Sequence, residues 1–370
     1  MPAHADPAGS KRGSPARQPT MTDVAREAGV SVATTGRVLG NYGNVREELR
    51  EKVRAAAERL GYSVNSVARS MRSGSSRTIA FVGVDISNPF FAAAMRGLSD
   101  VARREGYEPI LANTDDRHDT ERAAVRVMLE KQVEGIVISP ASVREVDHLR
   151  LALERGVAVV LLDRETSALD LDSVVIDNQE AARRAVDHLL DLGHTDIALL
   201  APVYEHEGPT LSRDRTTGRI TVNGATRPSV DRIRGYVAAL QDRGIVPKEH
   251  LIRYGAQGRL ASRDADELLG PHSGATSVFA TDDAATQLVF RAARRLGRGI
   301  PGDLSLVGFD DLDWTTLVDP PLTVVAQSPL DMGRLAGERL FKRILGSEEP
   351  PQRCIAPTQL IVRASTRPVT

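Results

Sequence analysis

One cysteine, Cys354, stands in the 370 residues, so no intramolecular disulfide can form and no cysteine-based metal cluster can be built. Such usage fits a reducing compartment, and the cytoplasm is the expected location. No apolar run approaches the ~20 residues that a membrane-spanning helix needs. The opening MPAHADPAGSKRGSPARQPT lacks the continuous apolar stretch of a secretory signal. Rich in Pro, Ala, Gly and Ser, residues 1–19 read as a disordered arm. Enzyme signatures are missing too: there is no Gly-Lys-Ser/Thr phosphate loop, no Gly-x-Ser-x-Gly elbow and no His-Glu-x-x-His pair. His188 and His194, in VDHLLDLGH, fall on a helix and at its end, where capping suits them better than catalysis. No catalytic residue, cofactor or metal is expected, and no membrane partner.

What the chain does have is an uneven charge. Its net charge is −1, yet residues 1–77 hold 13 Lys and Arg against 7 Asp and Glu, leaving 35 against 42 for the rest. A basic head on an acidic body is the footprint of a chain whose one end meets phosphates.

Within the head, MTDVAREAGVSVATTGRVLG packs two short helical patterns around a Gly-Val-Ser turn. Thr22 is placed to cap a first helix over 23–28, Gly29 to end it, and Ser31 to cap a second over 32–39. A third pattern, EELREKVRAAAERLGY, repeats Leu49, Val53, Ala56, Ala57 and Leu60 at helical spacing. Val24, Ala25, Ala28, Val30, Val38 and Leu39 complete one small apolar seam. Val32, Ala33, Thr34 and Arg37 remain on a surface that the seam does not need. A plain protein-binding trihelical unit has the same pattern.

From Thr20 to Phe91 the chain resembles the lactose/galactose repressor family almost continuously. Later segments, LDR, VVIDNQEAARRAVDHLLDLGH, SVFATDDAATQLV, IPGDLSLVGFDD and PPLTVVAQ, keep that family's order. The resemblance implies a helix-turn-helix domain over 20–63 whose second helix enters the major groove. Val32, Ala33 and Arg37 then face bases, with Ser31 and Thr34 near phosphates. Arg37 suits the task, because its planar fork donates two hydrogen bonds to a guanine edge, while Val32 and Ala33 suit thymine methyls. Thr35 and Gly36 depart from the family's usual Val and Ser, and a mid-helix glycine costs ~1 kcal/mol relative to alanine. Arg46 and Leu49 replace a usual Ser and Thr, and Arg46 offers a phosphate a charge in exchange. The resemblance also makes 64–77 a hinge that turns helical on the operator, with Asn65, Ala68 and Arg69 near DNA and Met71 as the wedge between base steps. Val64 replaces the common proline there, and a polar linker is the plain alternative for SVNSVARSMRSGSS.

Beyond Thr78, short apolar runs (TIAFVGV, VEGIVIS, AVVLLD, SVVID, DIALLAP, TSVFAT, DLSLVGF) alternate with amphipathic helices. That alternation predicts an α/β fold with parallel sheets flanked by helices. The resemblance implies a two-lobed, periplasmic-binding-protein-like domain over 78–370. Lobe 1 is expected at about 78–178 and 315–334, lobe 2 at about 179–314 and 335–370, with crossovers near Pro320. Ligands of such folds sit outside the carboxyl ends of strands, so polar and aromatic residues just after apolar runs are candidates: Phe90, Phe91, Asp163, Arg164, Asp282 and Asp310. Arg232 falls at the family's ligand-binding arginine. Aromatic faces with carboxylates and arginines suit a carbohydrate. Phe91 suits a core equally, Asp310 suits a helix cap, and Arg164 suits a pair with Asp177. The long connection 203–228 contains TTGRITV, which fits either a hairpin over the cleft mouth or a disordered loop.

The expectation is a homodimeric transcription regulator, a repressor, that binds a near-palindromic double-stranded operator and responds to a small molecule held between its lobes. A solute-binding protein without a regulatory role is the alternative.

Overall fold

The computed structural model describes residues 19–40, 43–62, 75–203, 208–256 and 262–369, and the chain divides into two units, 1–76 and 77–370. In the first unit, α1 (Met21–Ala28), α2 (Val32–Leu39) and α3 (Glu47–Leu60) share one core of Val24, Val38, Val53, Ala56 and Ala57. The first helix begins earlier than its sequence suggests. Thr20, not Thr22, is the cap: its hydroxyl accepts from the Asp23 backbone N while the Asp23 carboxylate accepts from the Thr20 N at 2.9 Å. This reciprocal capping box satisfies two donors at once, which a lone threonine two residues later cannot do. Gly29, at φ 65°, ends α1 in the left-handed conformation, and Ser31 caps α2 through the Thr34 N at 3.1 Å.

The second unit holds two six-stranded sheets. One runs in the order β13 (Arg353–Ala356), β5 (Asp172–Ile176), β4 (Ala158–Leu162), β3 (Gly135–Ile138), β1 (Thr78–Gly83), β2 (Glu108–Asn113), all parallel. The other runs β14 (Thr358–Ile361), β12 (Thr323–Gln327), β11 (Ser305–Phe309), β10 (Ser277–Ala280), β6 (Ile197–Val203), β9 (Ile252–Ala256), parallel except for β14. Side chains of a strand alternate between faces, and both faces are covered here. Ile79 and Phe81 of β1 join one apolar cluster with α4 (Pro89–Glu105) and α12 (Pro329–Ile344), while Ala80 and Val82 join another with α5 (His118–Glu130) and α6 (Asp147–Glu154). Covered on both sides, such strands read as unbroken apolar runs.

Strand pairing corrects the expected lobe boundaries. β12 continues the second sheet beside β11, with Val307 opposite Thr323, so 315–327 belongs to lobe 2. The Pro320 stretch is only the loop between these strands. The chain crosses instead at Asp177, at Ser328 and at Pro357: α12 packs on β3, β4 and β5 of lobe 1, β13 pairs with β5, and β14 returns to β12.

The long connection is a hairpin. β7 (Thr210–Arg213) pairs antiparallel with β8 (Ile220–Asn223), closed by a turn in which Asp214 accepts from the Thr216 and Thr217 backbone N. Its turn points away from the strand termini, with Gly218 facing Val246 beyond the C-terminal end of the next helix. Ile220 is buried against α8 (Pro228–Asp242), exchanging hydrogen bonds with Gln241 near that helix's C-terminal end. The N-terminal end of α8, with Arg227 and Arg232, is the end that meets the strand termini.

Candidate functional site

Two surfaces answer to the sequence candidates, one in each unit. On α2, Ser31, Val32, Ala33 and Arg37 are exposed, Val32 at 45%, and Thr34 is half-buried. Thr35 and Gly36 point the other way and are buried, the Thr35 hydroxyl bonding back to the Ser31 carbonyl at 3.1 Å. The helix runs unbroken through Gly36. One face of α2 thus serves the core, and the opposite face presents the apolar and cationic groups that a groove requires. Arg46 starts α3 without a side-chain cap, while Arg50 holds the preceding loop through the Val45 carbonyl at 3.2 Å. The hinge candidates Asn65, Ala68, Arg69 and Met71 lie outside the described residues.

In the body, the strand ends of both sheets carry the charged candidates. Asp163 follows β4 at φ 66° and Asp310 follows β11 at φ 73°. Left-handed backbone is unfavourable for a residue with a side chain, least so for Asp and Asn, and it gathers at functional sites. Asp282 caps α10 (Asp283–Arg295), accepting from the Ala285 N at 2.8 Å. Arg232, 6% exposed, donates to Asn178 Oδ1 at 2.8 Å and to the Thr281 carbonyl at 2.6 Å, and its guanidinium lies 3.6 Å from the centre of the Phe309 ring. Pinned on three sides, it is a rigid donor.

The carboxyls of this cleft are held toward their neutral forms. Burial pushes Asp163, Asp282 and Asp310 upward, Asp282 to about 6, and Arg232 partly offsets it in all three; Asp310, across the cleft, raises Asp163 further. All three are nonetheless only half-buried as whole residues. Desolvation outweighs exposure there. Arg164 is 2% exposed and pairs with Asp116, not Asp177, while its NH1 also donates to the Pro140 carbonyl at 3.3 Å. Asp116, likewise raised by burial, belongs to the cluster.

Phe90 and Phe91, at 7% and 5% exposure, join the main apolar cluster, the core placement that the sequence also allowed for Phe91, their rings edge to face at 5.1 Å. Asn88 caps α4 and turns both rings inward, where apolar area gains most from burial. The sequence reading missed Arg227, whose guanidinium donates to the Ala141 carbonyl of the other lobe. It also missed Ser139, Ser229, Thr281 and Gln327, each with a buried oxygen that has no hydrogen-bond partner. Ser139 and Thr281 directly follow apolar runs, so the rule that found Asp163 would have found them. Arg227 carries no such signal. His188 and His194 are structural: His188 meets the Thr366 hydroxyl at 2.9 Å, and the buried His194 tethers the chain end through the Arg367 carbonyl at 3.0 Å.

A trihelical head with a free polar-apolar helix face, and a two-lobed α/β body with a polar cleft, define a DNA-binding transcription regulator with a ligand-sensing body. Residues 20–65 match the family "Bacterial regulatory proteins, lacI family", and residues 186–366 match "Periplasmic binding protein-like domain". Catabolite control protein A of Priestia megaterium is 33% identical over 350 residues, covering 94% of this chain and 99% of that protein. A solved complex of the transcriptional regulator CelR with cellobiose aligns at TM-score 0.66 and 27% identity, over 94% of this chain and 99% of that one. The lac repressor dimer bound to operator and the anti-inducer ONPF aligns at TM-score 0.77 and 24% identity, over 95% and 100%, a likeness of fold. The chain belongs to the lacI family of bacterial regulatory proteins. The helix-turn-helix match decides against a solute-binding protein without a regulatory role. Among the described residues no helix is long and apolar enough to cross a membrane.

Proposed function

We propose that the chain works as a homodimeric cytoplasmic repressor that reads a near-palindromic operator and takes a carbohydrate between its lobes. Arg37, Val32 and Ala33 read bases, Ser31 and Thr34 hold phosphates, and the hinge residues Asn65, Ala68, Arg69 and Met71 follow in the minor groove. Two-fold symmetry of the protein calls for two-fold symmetry in the DNA. Asp163, Arg164, Arg232, Asp282 and Asp310 contact the effector, and no catalysis, cofactor or membrane contact enters the reading.

The observation that carries the effector class is the pairing of a fixed arginine with three carboxyls around unspent buried hydroxyl and amide oxygens. Polyol hydroxyls donate and accept together, so they satisfy both kinds of group at once. The cellobiose complex of CelR points the same way. Selection of bound DNA fragments by the purified chain, with and without a panel of sugars, tests the whole reading. One palindromic motif should emerge, and one sugar should change its retention. Equal weak retention of all duplexes under every condition rejects the proposal.

A further inference from the structure

Behind the turn that follows β3, three side chains meet that neither surface uses. His118 and Glu121 stand one helical turn apart on α5, and His148 lies in the first turn of α6; one donor atom of each lies within 4.8 Å of the others. Glu121 is fully buried and His148 is 7% exposed, whereas His118 stands at the rim. Glu121 spends one oxygen on the Ala141 backbone N at 2.7 Å and turns the other to His148 Nε2 at 2.8 Å. His148 Nδ1 is buried without a hydrogen-bond partner. Glu145 approaches His118 twice, its carbonyl 2.9 Å from Nε2 and its carboxylate 3.1 Å from Nδ1.

We propose that His118, Glu121 and His148 form a binding site for a divalent ion of the zinc class. Two imidazoles and one carboxylate from two packed helices are the donor set that such an ion takes, at about 2.0–2.2 Å each. Around a tetrahedral ion, neighbouring donors stand about 3.3 Å apart, so Glu121 and His148, now 2.8 Å apart, separate by about half an ångström, and the His118 donor, within 4.8 Å of both, settles to the same spacing. His118 then keeps one contact with Glu145, and a carboxylate or carbonyl behind a ligating imidazole is the usual means of fixing its ring. A fourth position stays open to water. The sequence reading expected no metal, since the ligands come from two separate helices, with Glu121 and His148 27 residues apart, and form no short motif.

The full chain, freed of any affinity tag and stripped with a chelator, is titrated with cobalt(II) and then zinc(II). One equivalent of cobalt should bind with the visible absorption of a four-coordinate ion, and zinc should displace it. Glu121 and His148 belong to the core, so the deciding variant is His118→Ala at the rim, with Glu121→Gln beside it. His118→Ala should weaken binding about tenfold or more with an unchanged circular dichroism spectrum. Absence of saturable one-equivalent binding, or undiminished binding by His118→Ala, overturns the site and leaves a buried ion pair only.

Discussion

Arg37 and Asp282 show how far single residues carry the two functions. The Arg37 stem lies beside Gly43, where an added Cβ would stand 3.4 Å from its Cδ, so the loop leaves room for the side chain at the exposed face of α2. A bidentate arginine–guanine contact discriminates by about 1–3 kcal/mol. Arg37→Ala should therefore weaken operator binding by about tenfold to a hundredfold, with little change on a scrambled duplex, read by fluorescence anisotropy. Equal losses on both duplexes would make Arg37 a phosphate contact instead. Asp282, raised to about 6 in the fold from an ordinary 3.8, makes a pH prediction whose two signs differ. The folded state holds the extra proton between those values, so this group's contribution to stability is full below the lower one and is lost as pH rises through 6. Sugar binding runs oppositely, because the ionised carboxylate accepts two hydroxyls and the neutral acid only partly replaces them. Effector affinity measured by calorimetry should rise from pH 5 to 7.5, and Asp282→Asn should flatten that rise.

At the scale of elements, the two lobes share a packing device that depends on glycine. A Cβ at Gly333 of α12 would stand 1.9 Å from the Ala94 carbonyl of α4, and one at Gly97 would stand 2.0 Å from the Leu330 carbonyl. In lobe 2, Gly235 of α8 meets the Gln179 carbonyl of α7 (Asn178–Asp191) at 2.2 Å in the same sense. Contacts of backbone against backbone cannot yield by turning a side chain. Gly333→Ala should destabilise the body by about 1–3 kcal/mol despite its better helix propensity, seen as a lower urea midpoint, and should leave the melting of the head unchanged. Periodicity disclosed these helices, but not which face touches which partner, since small residues look alike on paper. The same limit applies to Thr20 and Thr22, two residues apart: only the reciprocal bond with Asp23 tells them apart. The hairpin of 210–223 was only one of two readings that TTGRITV allowed, and its place along α8 left no local mark, because Ile220 bonds with Gln241, 21 residues later in the chain.

In the molecule as a whole, the chain crosses between the lobes three times, at Asp177, Ser328 and Pro357, so that each sheet takes strands from separate parts of the chain. The two-lobed α/β body was legible because its buried strands are continuous apolar runs; the crossings were not, because register between distant strands leaves no local mark. Residues such as Asp163 and Asp310 were found by position at strand ends, while Arg227, which reaches from lobe 2 to the Ala141 carbonyl of lobe 1, had no such cue. That contact bears on sensing. A ligand shifts the lobes only by as much as it favours one arrangement over the other, and a charged hydrogen bond between the lobes adds to the arrangement in which it forms. Such bonds contribute about 1.5–3 kcal/mol, so Arg227→Met, which keeps the stem but removes the donors, should weaken sugar binding about tenfold to a hundredfold. Operator binding by the sugar-free protein sets the direction of coupling. If the sugar releases DNA, the variant should need proportionately more sugar for half release; if the sugar promotes binding, it should need more for half occupancy. A variant with unchanged sugar affinity by calorimetry would show that the Arg227 contact forms equally in both arrangements and takes no part in the response.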